Sequence, residues 1–307
     1  MRSVKSSVRA SKTVRAQLPA VAVIVLLLTG AARSQEPAPP PIDEEMAKQE
    51  KIYRSRGAEV PRGYVTDRGL MSYAELLPSG FCDALGKLGA SDRWLDIGTG
   101  AGQAILDYYA SDDDREQCGG SGAKARAVGV SIEDRRGDAW KQLAARLGDD
   151  RIRYLAGKRV RQYSSEDLGK FKLITDVFGG LTYTENLSLF VDKVLGLLEV
   201  GGGFYALLPG VHLENGQDRF AALDQTKLFG SMYLTELKDA AGADVKACSW
   251  LKRITCVEVS CESKSDWKRP SELINIRKVC SDVVVPPVKL LTFAAGNPPD
   301  RRFQLEQ

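Results

Sequence analysis

The residues with the clearest chemical meaning stand between Arg93 and Gly102. Trp94, Leu95 and Ile97 give the apolar content of a strand covered on both faces. Asp96 interrupts it, and Gly98, Gly100 and Gly102 follow at every second position. Glycine there permits both a sharp turn and the close approach of a ligand to the backbone. Ala104, Ile105, Tyr108 and Tyr109 then recur at helical spacing. A helix therefore begins directly beyond the glycine turn, with its unpaired N–H groups facing whatever the turn holds.

The spacing narrows the ligand. A dinucleotide turn needs a third glycine at position 103, where Gln103 stands. The pattern Asp96-x-Gly98-x-Gly100-x-Gly102 instead resembles motif I of the class I S-adenosylmethionine-dependent methyltransferases, and the resemblance covers roughly residues 94–261. It implies an α/β fold with a doubly wound, mostly parallel, Rossmann-like sheet, S-adenosylmethionine as cofactor, and a methyl acceptor that it does not identify. It also implies roles. Gly98, Thr99, Gly100 and Gly102 would lie against the amino acid end of the cofactor, and Asp96 would meet its ammonium or order the turn. The acid that usually holds the ribose hydroxyls is replaced by Ser131, with Glu133 two residues on as the substitute carboxylate. Phe178 would pack on the cofactor, Asp176 would orient or deprotonate the acceptor, and Tyr183 would shape the pocket.

Two further positions depart from the family pattern. Lys158 follows Gly157 where an acid often receives the adenine amino group, and Lys172 follows Phe171 where aspartate is usual. A lysine cannot accept that bond. Methyl transfer is an in-line displacement that positioning alone can accelerate, so a general base is not required. His212 is the single histidine and no Gly-x-Ser-x-Gly stands near it, which argues against serine-type nucleophilic catalysis.

Strand and helix patterns alternate around this centre. Strands are expected at 125–131, 151–155, 173–177 and 204–208. Trp140, Leu143, Ala144 and Leu147 form one helical stripe, and Leu187, Phe190, Val191, Val194, Leu195 and Leu198 another that Gly201 to Gly203 would end. Such alternation calls for a parallel sheet. Beyond Pro209 the pattern predicts a helix through Tyr233, Leu234 and Leu237, then closing strands at 245–250 and 254–260. Ahead of the turn, Ser72-x-x-Glu75 has the form of a capping box. Tyr64 and Tyr73 there are expected to pack on the sheet edge or to cover the cofactor. Residues 111–122 read as a solvated acidic loop.

Charge and cysteine usage set the wider frame. Lys and Arg number 43 against 40 Asp and Glu. Residues 1–34 hold six of the bases and no acid, so the remainder is slightly acidic and shows no nucleic-acid footprint. The apolar run 20–28, after a basic stretch and before Ala32 and Ser34, has the layout of a secretory signal peptide cut before Gln35. That predicts an exported protein, periplasmic or secreted, with no stable membrane span; a true start at Met46 would leave it cytoplasmic. Six cysteines with no Cys-x-x-Cys favour disulfide bonds over a metal site. Cys256 and Cys261, on opposite faces of one strand, would not pair with each other. The organisation expected is a signal peptide at 1–34, a Pro-rich linker at 35–45, a helical segment at 46–91, the methyltransferase-like domain at 92–262 and an extension at 263–307. A different class of function also fits: an exported, disulfide-bonded binding protein that keeps this fold without catalysis.

Overall fold

The computed structural model describes residues 67–110, 118–120, 123–184, 186–211, 213, 236–264 and 270–291. The signal-like segment, the Pro-rich linker, Tyr64, His212, Tyr233 and Leu234, most of the acidic loop, and residues 292–307 lie outside the described residues. So does the side chain of Tyr183.

The glycine turn lies at the centre of a sheet of seven strands. These are β1 (Arg93–Ile97), β2 (Arg126–Ser131), β3 (Ile152–Ala156), β4 (Phe171–Val177), β5 (Leu198–Pro209), β8 (Val257–Lys264) and β9 (Ser271–Lys278). Their order is β3-β2-β1-β4-β5-β9-β8. The first five pair in parallel, and β9 and β8 close the sheet antiparallel. This is a doubly wound, mostly parallel α/β sheet of Rossmann type, in which the direction of strand progression reverses between β1 and β4. A ligand site in such a sheet lies outside the carboxyl ends of the strands at that reversal.

Strand residues are buried on alternate faces against different helices, which explains the near-continuous apolar runs. On one face Trp94, Leu173, Tyr205 and Leu207 pack against α1 (Leu70–Leu76), α2 (Phe81–Gly86), α3 (Gln103–Tyr109) and α4 (Asp138–Leu147). On the other, Leu95, Ile97, Ile174, Phe204 and Ile276 pack against α7 (Leu187–Leu197) and α8 (Ala247–Leu251). Two short helices, α5 (Ser165–Leu168) and α6 (Gly180–Tyr183), precede and follow β4. The stripes expected on α4 and α7 face the sheet, and α4 stops at Gly148, whose φ of 82° suits glycine. A second antiparallel sheet joins β6 (Glu236–Asp239), β7 (Asp244–Val245) and β10 (Val288–Leu291) in the order β10-β6-β7.

Five expectations are corrected. Gly201 to Gly203 do not end α7, which stops at Leu197; they lie inside β5, where its register with β4 shifts and a side chain at 202 would sit 3.0 Å from the carbonyls of Glu199 and Lys172. Leu237 belongs to β6 rather than to a helix, and residues 247–251 form α8 rather than a strand. The second closing strand is β9, so a boundary at 262 falls inside β8 and the sheet continues to Lys278. Ser72 is not a cap: it lies within α1, whose N-cap is Gly69 with no side-chain bond.

The six cysteines stand at bonding distance as Cys82 with Cys118, Cys248 with Cys261, and Cys256 with Cys280. Cys256 and Cys261 thus have different partners. Among the described residues no helix is long and apolar enough to cross a membrane, and no group of three or more His, Cys, Asp or Glu could hold a metal ion.

Candidate functional site

At the end of β1 the backbone N–H groups of Gly98 and Thr99 both donate to the Val130 carbonyl, at 2.9 and 3.1 Å, which ties the turn to β2. Gly98, Gly100 and Gly102 have φ of 79°, 62° and 88°, the left-handed region that glycine occupies without strain. Close approach is needed here, but much of it is to the chain itself. A Cβ on Gly98 would lie 2.6 Å from Gly179 Cα, and one on Gly102 would lie 2.4 Å from the Trp140 ring. Thr99 is buried with its methyl against Gly129, where a Cβ would stand 2.8 Å away. The turn is therefore wedged between the segment after β4 and α4.

Two carboxyls are wholly buried at the reversal point. Asp96 accepts from the Tyr73 hydroxyl, 3.0 Å from both of its oxygens, and from Thr175 Oγ1 at 2.8 Å. Trp94 Nε1 in turn donates to Thr175 Oγ1 at 2.9 Å, which completes a buried polar chain. Burial pushes the Asp96 pKa up to about 6 against the opposing hydroxyls of Thr99, Thr175 and Tyr73. The hydroxyls that hold Asp96 come from α1 and β4, and they use only part of what a carboxylate can accept. Tyr73, 2% exposed, packs under the sheet's helical layer rather than over an opening.

Asp176 accepts from the backbone N–H of Gly179 and of Leu181, each at 2.9 Å, and so fastens the start of α6. Burial raises its pKa to about 7, against those backbone donors and with a further push from the charge of Asp96. Its contacts are those of a group that shapes the loop. Phe178 follows with φ of 54°, a costly conformation for a non-glycine residue, and its ring carries the Arg68 guanidinium 4.6 Å from the centroid.

Ser131 and Glu133 stand together after β2, both buried. Arg135 Nε lies 2.9 Å from Glu133 Oε2, an ion pair by distance although its N–H is not aligned for a hydrogen bond. The other oxygen, Oε1, is buried and has no partner. A buried carboxylate oxygen without a donor is costly.

Sequence reasoning missed Tyr154. Its hydroxyl donates to the Gly100 carbonyl at 2.6 Å, lies 3.1 Å from the Glu133 carbonyl, and accepts from the Arg135 N–H at 3.3 Å. Trp140 meets its ring edge-on at 5.3 Å. Tyr154 thereby pins the glycine turn to the Glu133 loop. The only available signal was a tyrosine late in β3, where strand alternation alone cannot reveal a partner in the neighbouring turn. The departures at Lys158 and Lys172 are solvent-side features: Lys158 Nζ lies 5.7 Å from the Tyr163 ring centroid, and Lys172 is partly exposed in β4.

No family model and no curated protein matches the chain. Solved structures of similar fold include phosphoethanolamine N-methyltransferase 2 of Haemonchus contortus in complex with S-adenosyl-L-methionine, at 12% identity and TM-score 0.42, covering 76% of this chain and 60% of that one. The N-methyltransferase NodS of Bradyrhizobium japonicum, in complex with S-adenosyl-L-homocysteine, shares 15% identity at TM-score 0.40, covering 77% and 99%. A possible exported protein from Bordetella parapertussis shares 15% at TM-score 0.43, covering 76% and 88%. At these identities and scores the likeness adds nothing to what the strand order already establishes about the fold.

Proposed function

We propose that this chain binds S-adenosylmethionine at the carboxyl ends of β1 and β2 and transfers its methyl group to an acceptor. The observation that carries the reading is the unpartnered, buried Glu133 Oε1, in a loop whose Glu133 backbone carbonyl lies 3.1 Å from the Tyr154 hydroxyl that also bonds the glycine turn. Glu133 would receive the ribose hydroxyls, and the backbone at Gly100 would meet the amino acid end. When bound, the cofactor supplies an activated methyl group on a sulfonium. Phe178 offers an aromatic face near that end, and Asp96 and Asp176 keep the two loops in place from behind. Titration calorimetry of the full chain with S-adenosylmethionine and S-adenosylhomocysteine tests this. Binding that weakens about 10- to 100-fold in Glu133→Gln, the loss expected for charged hydrogen bonds, supports it. An absence of heat at millimolar ligand would sink it.

A second reading is an exported binding protein that keeps the fold without catalysis. The three cysteine pairs and the bonding of Asp96 to two hydroxyls of this chain favour it. Under either reading we place the protein outside the cytoplasm, with cleavage before Gln35. N-terminal sequencing of the mature protein decides this, and an intact residue 1 would defeat it.

A further inference from the structure

The amino ends of the strands gather cations into one corner of the sheet. Arg93 opens β1 and stands directly across from Arg126, which opens β2. Such partners project from one face, here the face that carries Leu95 and Val128. Arg153 of β3 lies across from Val128 and so projects from that face too. Lys172, two residues before Ile174 on the same face of β4, adds a fourth cation beside Arg93. Neighbouring strands lie about 4.8 Å apart, so the sheet register itself holds these charges together. Like charges placed across from one another are destabilising. Burial lowers the Arg93 pKa, and the charges of Arg153 and Arg126 lower it further, against Glu199. Among the described residues none of the four cations enters an ion pair. The Asp167 carboxylate lends Arg153 some opposing charge but is already engaged by the Ser164 N–H at 3.3 Å. Arg93 is fixed in place, with its guanidinium 4.4 Å from the Phe171 ring centroid and Nη1 donating to the Lys170 carbonyl at 3.2 Å. Arg126 and Arg153 are exposed, and their side chains make no hydrogen bond among the described residues.

We propose that this corner binds a soluble phosphate monoester, with Arg126 and Arg153 gripping the phosphate oxygens and Arg93 as the fixed charge beside them. A guanidinium presents N–H donors in a fork that matches phosphate, and a dianionic phosphate has oxygens enough for both forks. Its charge offsets the repulsion that the register imposes on the cations. An extended polyanion is a poorer match, because the chain beyond residue 34 is slightly acidic and the cations occupy one corner rather than a long stripe. The five residues of β1 separate Arg93 from the glycine turn by about 13 Å. The phosphate site therefore stands apart from the cofactor reading and does not depend on it.

Titration calorimetry of the full chain with inorganic phosphate, at neutral pH and with ionic strength held constant by sodium chloride, provides the test. The wild type should bind in the millimolar range, and Arg126→Gln and Arg153→Gln should each bind about 10-fold more weakly, the loss of a charged hydrogen bond. Lys141→Gln, an exposed change on α4, should bind as the wild type does. Both arginines are exposed, so their variants should fold, and melting temperatures no lower than that of the wild type would confirm it. No heat from the wild type at tens of millimolar phosphate would overturn the proposal. Equal affinity in the two arginine variants, or an equal loss in Lys141→Gln, would overturn it too. Capture of the chain by phosphatidic acid vesicles without a response to inorganic phosphate would assign the corner to a membrane surface instead.

Discussion

The ends of β1 and β4 solve the same problem differently. Each places a fully buried aspartate two or three residues before a glycine contact, and the two glycines, Gly98 and Gly179, touch each other. Asp96 is held by hydroxyls of Tyr73 and Thr175, one of them from a helix outside the sheet's own crossovers. Asp176 is held by backbone N–H groups three and five residues further along its own chain. Side-chain partners can be exchanged when α1 moves, whereas the partners of Asp176 can leave only if α6 unwinds. The β1 end is therefore the adjustable side of the site, and the β4 end is its fixed wall.

Among substitutions, removing the fixed wall gives the largest effect. Asp176→Ala leaves two buried N–H groups without an acceptor and should cost about 3 kcal/mol in urea denaturation; an undiminished midpoint would show that α6 is not fastened there. Gly179→Ala should cost about 1 to 3 kcal/mol, because its Cβ would lie 2.3 Å from the Ile97 carbonyl oxygen. A melting curve equal to that of the wild type would mean that the two turns are not in contact.

The pH dependence follows from both acids. Their folded pKa values, about 6 and about 7, lie above the ordinary 3.8, so the folded state holds more protons than the unfolded state between about pH 4 and 7. Their contribution is therefore most favourable at the acid end of that window and declines as pH rises through it. Melting temperature should fall by several degrees, the two values together amounting to roughly 4 kcal/mol between pH 5 and pH 8. Asp96→Asn should flatten part of that fall. A slope unchanged in this variant would assign the titration elsewhere. The smallest effect belongs to the adjustable side: Tyr73→Phe removes one hydroxyl from Asp96 and should cost about 1 kcal/mol. Thermal melts of the two proteins would show it, and a loss near that of Asp176→Ala would erase the contrast between the two ends.

The strand, turn and helix around Asp96 were legible because burial on both faces and left-handed backbone each restrict residue type locally. The partners of Asp96 were not, since Tyr73 and Thr175 reach it only through tertiary packing. The same applies to Tyr154 and the Gly100 carbonyl. The triplet Gly201 to Gly203 misled because glycine suits a helix stop and a strand crowded by its neighbour equally well. Strand β9 was missed for a related reason: Leu273 faces one core while Ile274 and Ile276 face the other, which leaves no simple alternation to read. Residues 245–250 looked like a strand, yet a five-residue helix buries Ala247, Cys248, Trp250 and Leu251 at once. Glu133 was singled out through the family resemblance, as the carboxylate two residues beyond Ser131, whereas its unpaired oxygen belongs to packing that the sequence does not show.

The bond-forming pair Cys82 and Cys118 has a mechanical consequence. It ties α2 to the loop beyond α3, while Pro78 and Gly80 separate α2 from α1. The bond therefore acts on the chain ahead of the sheet, holding α2 to the body of the fold by a covalent link as well as by packing.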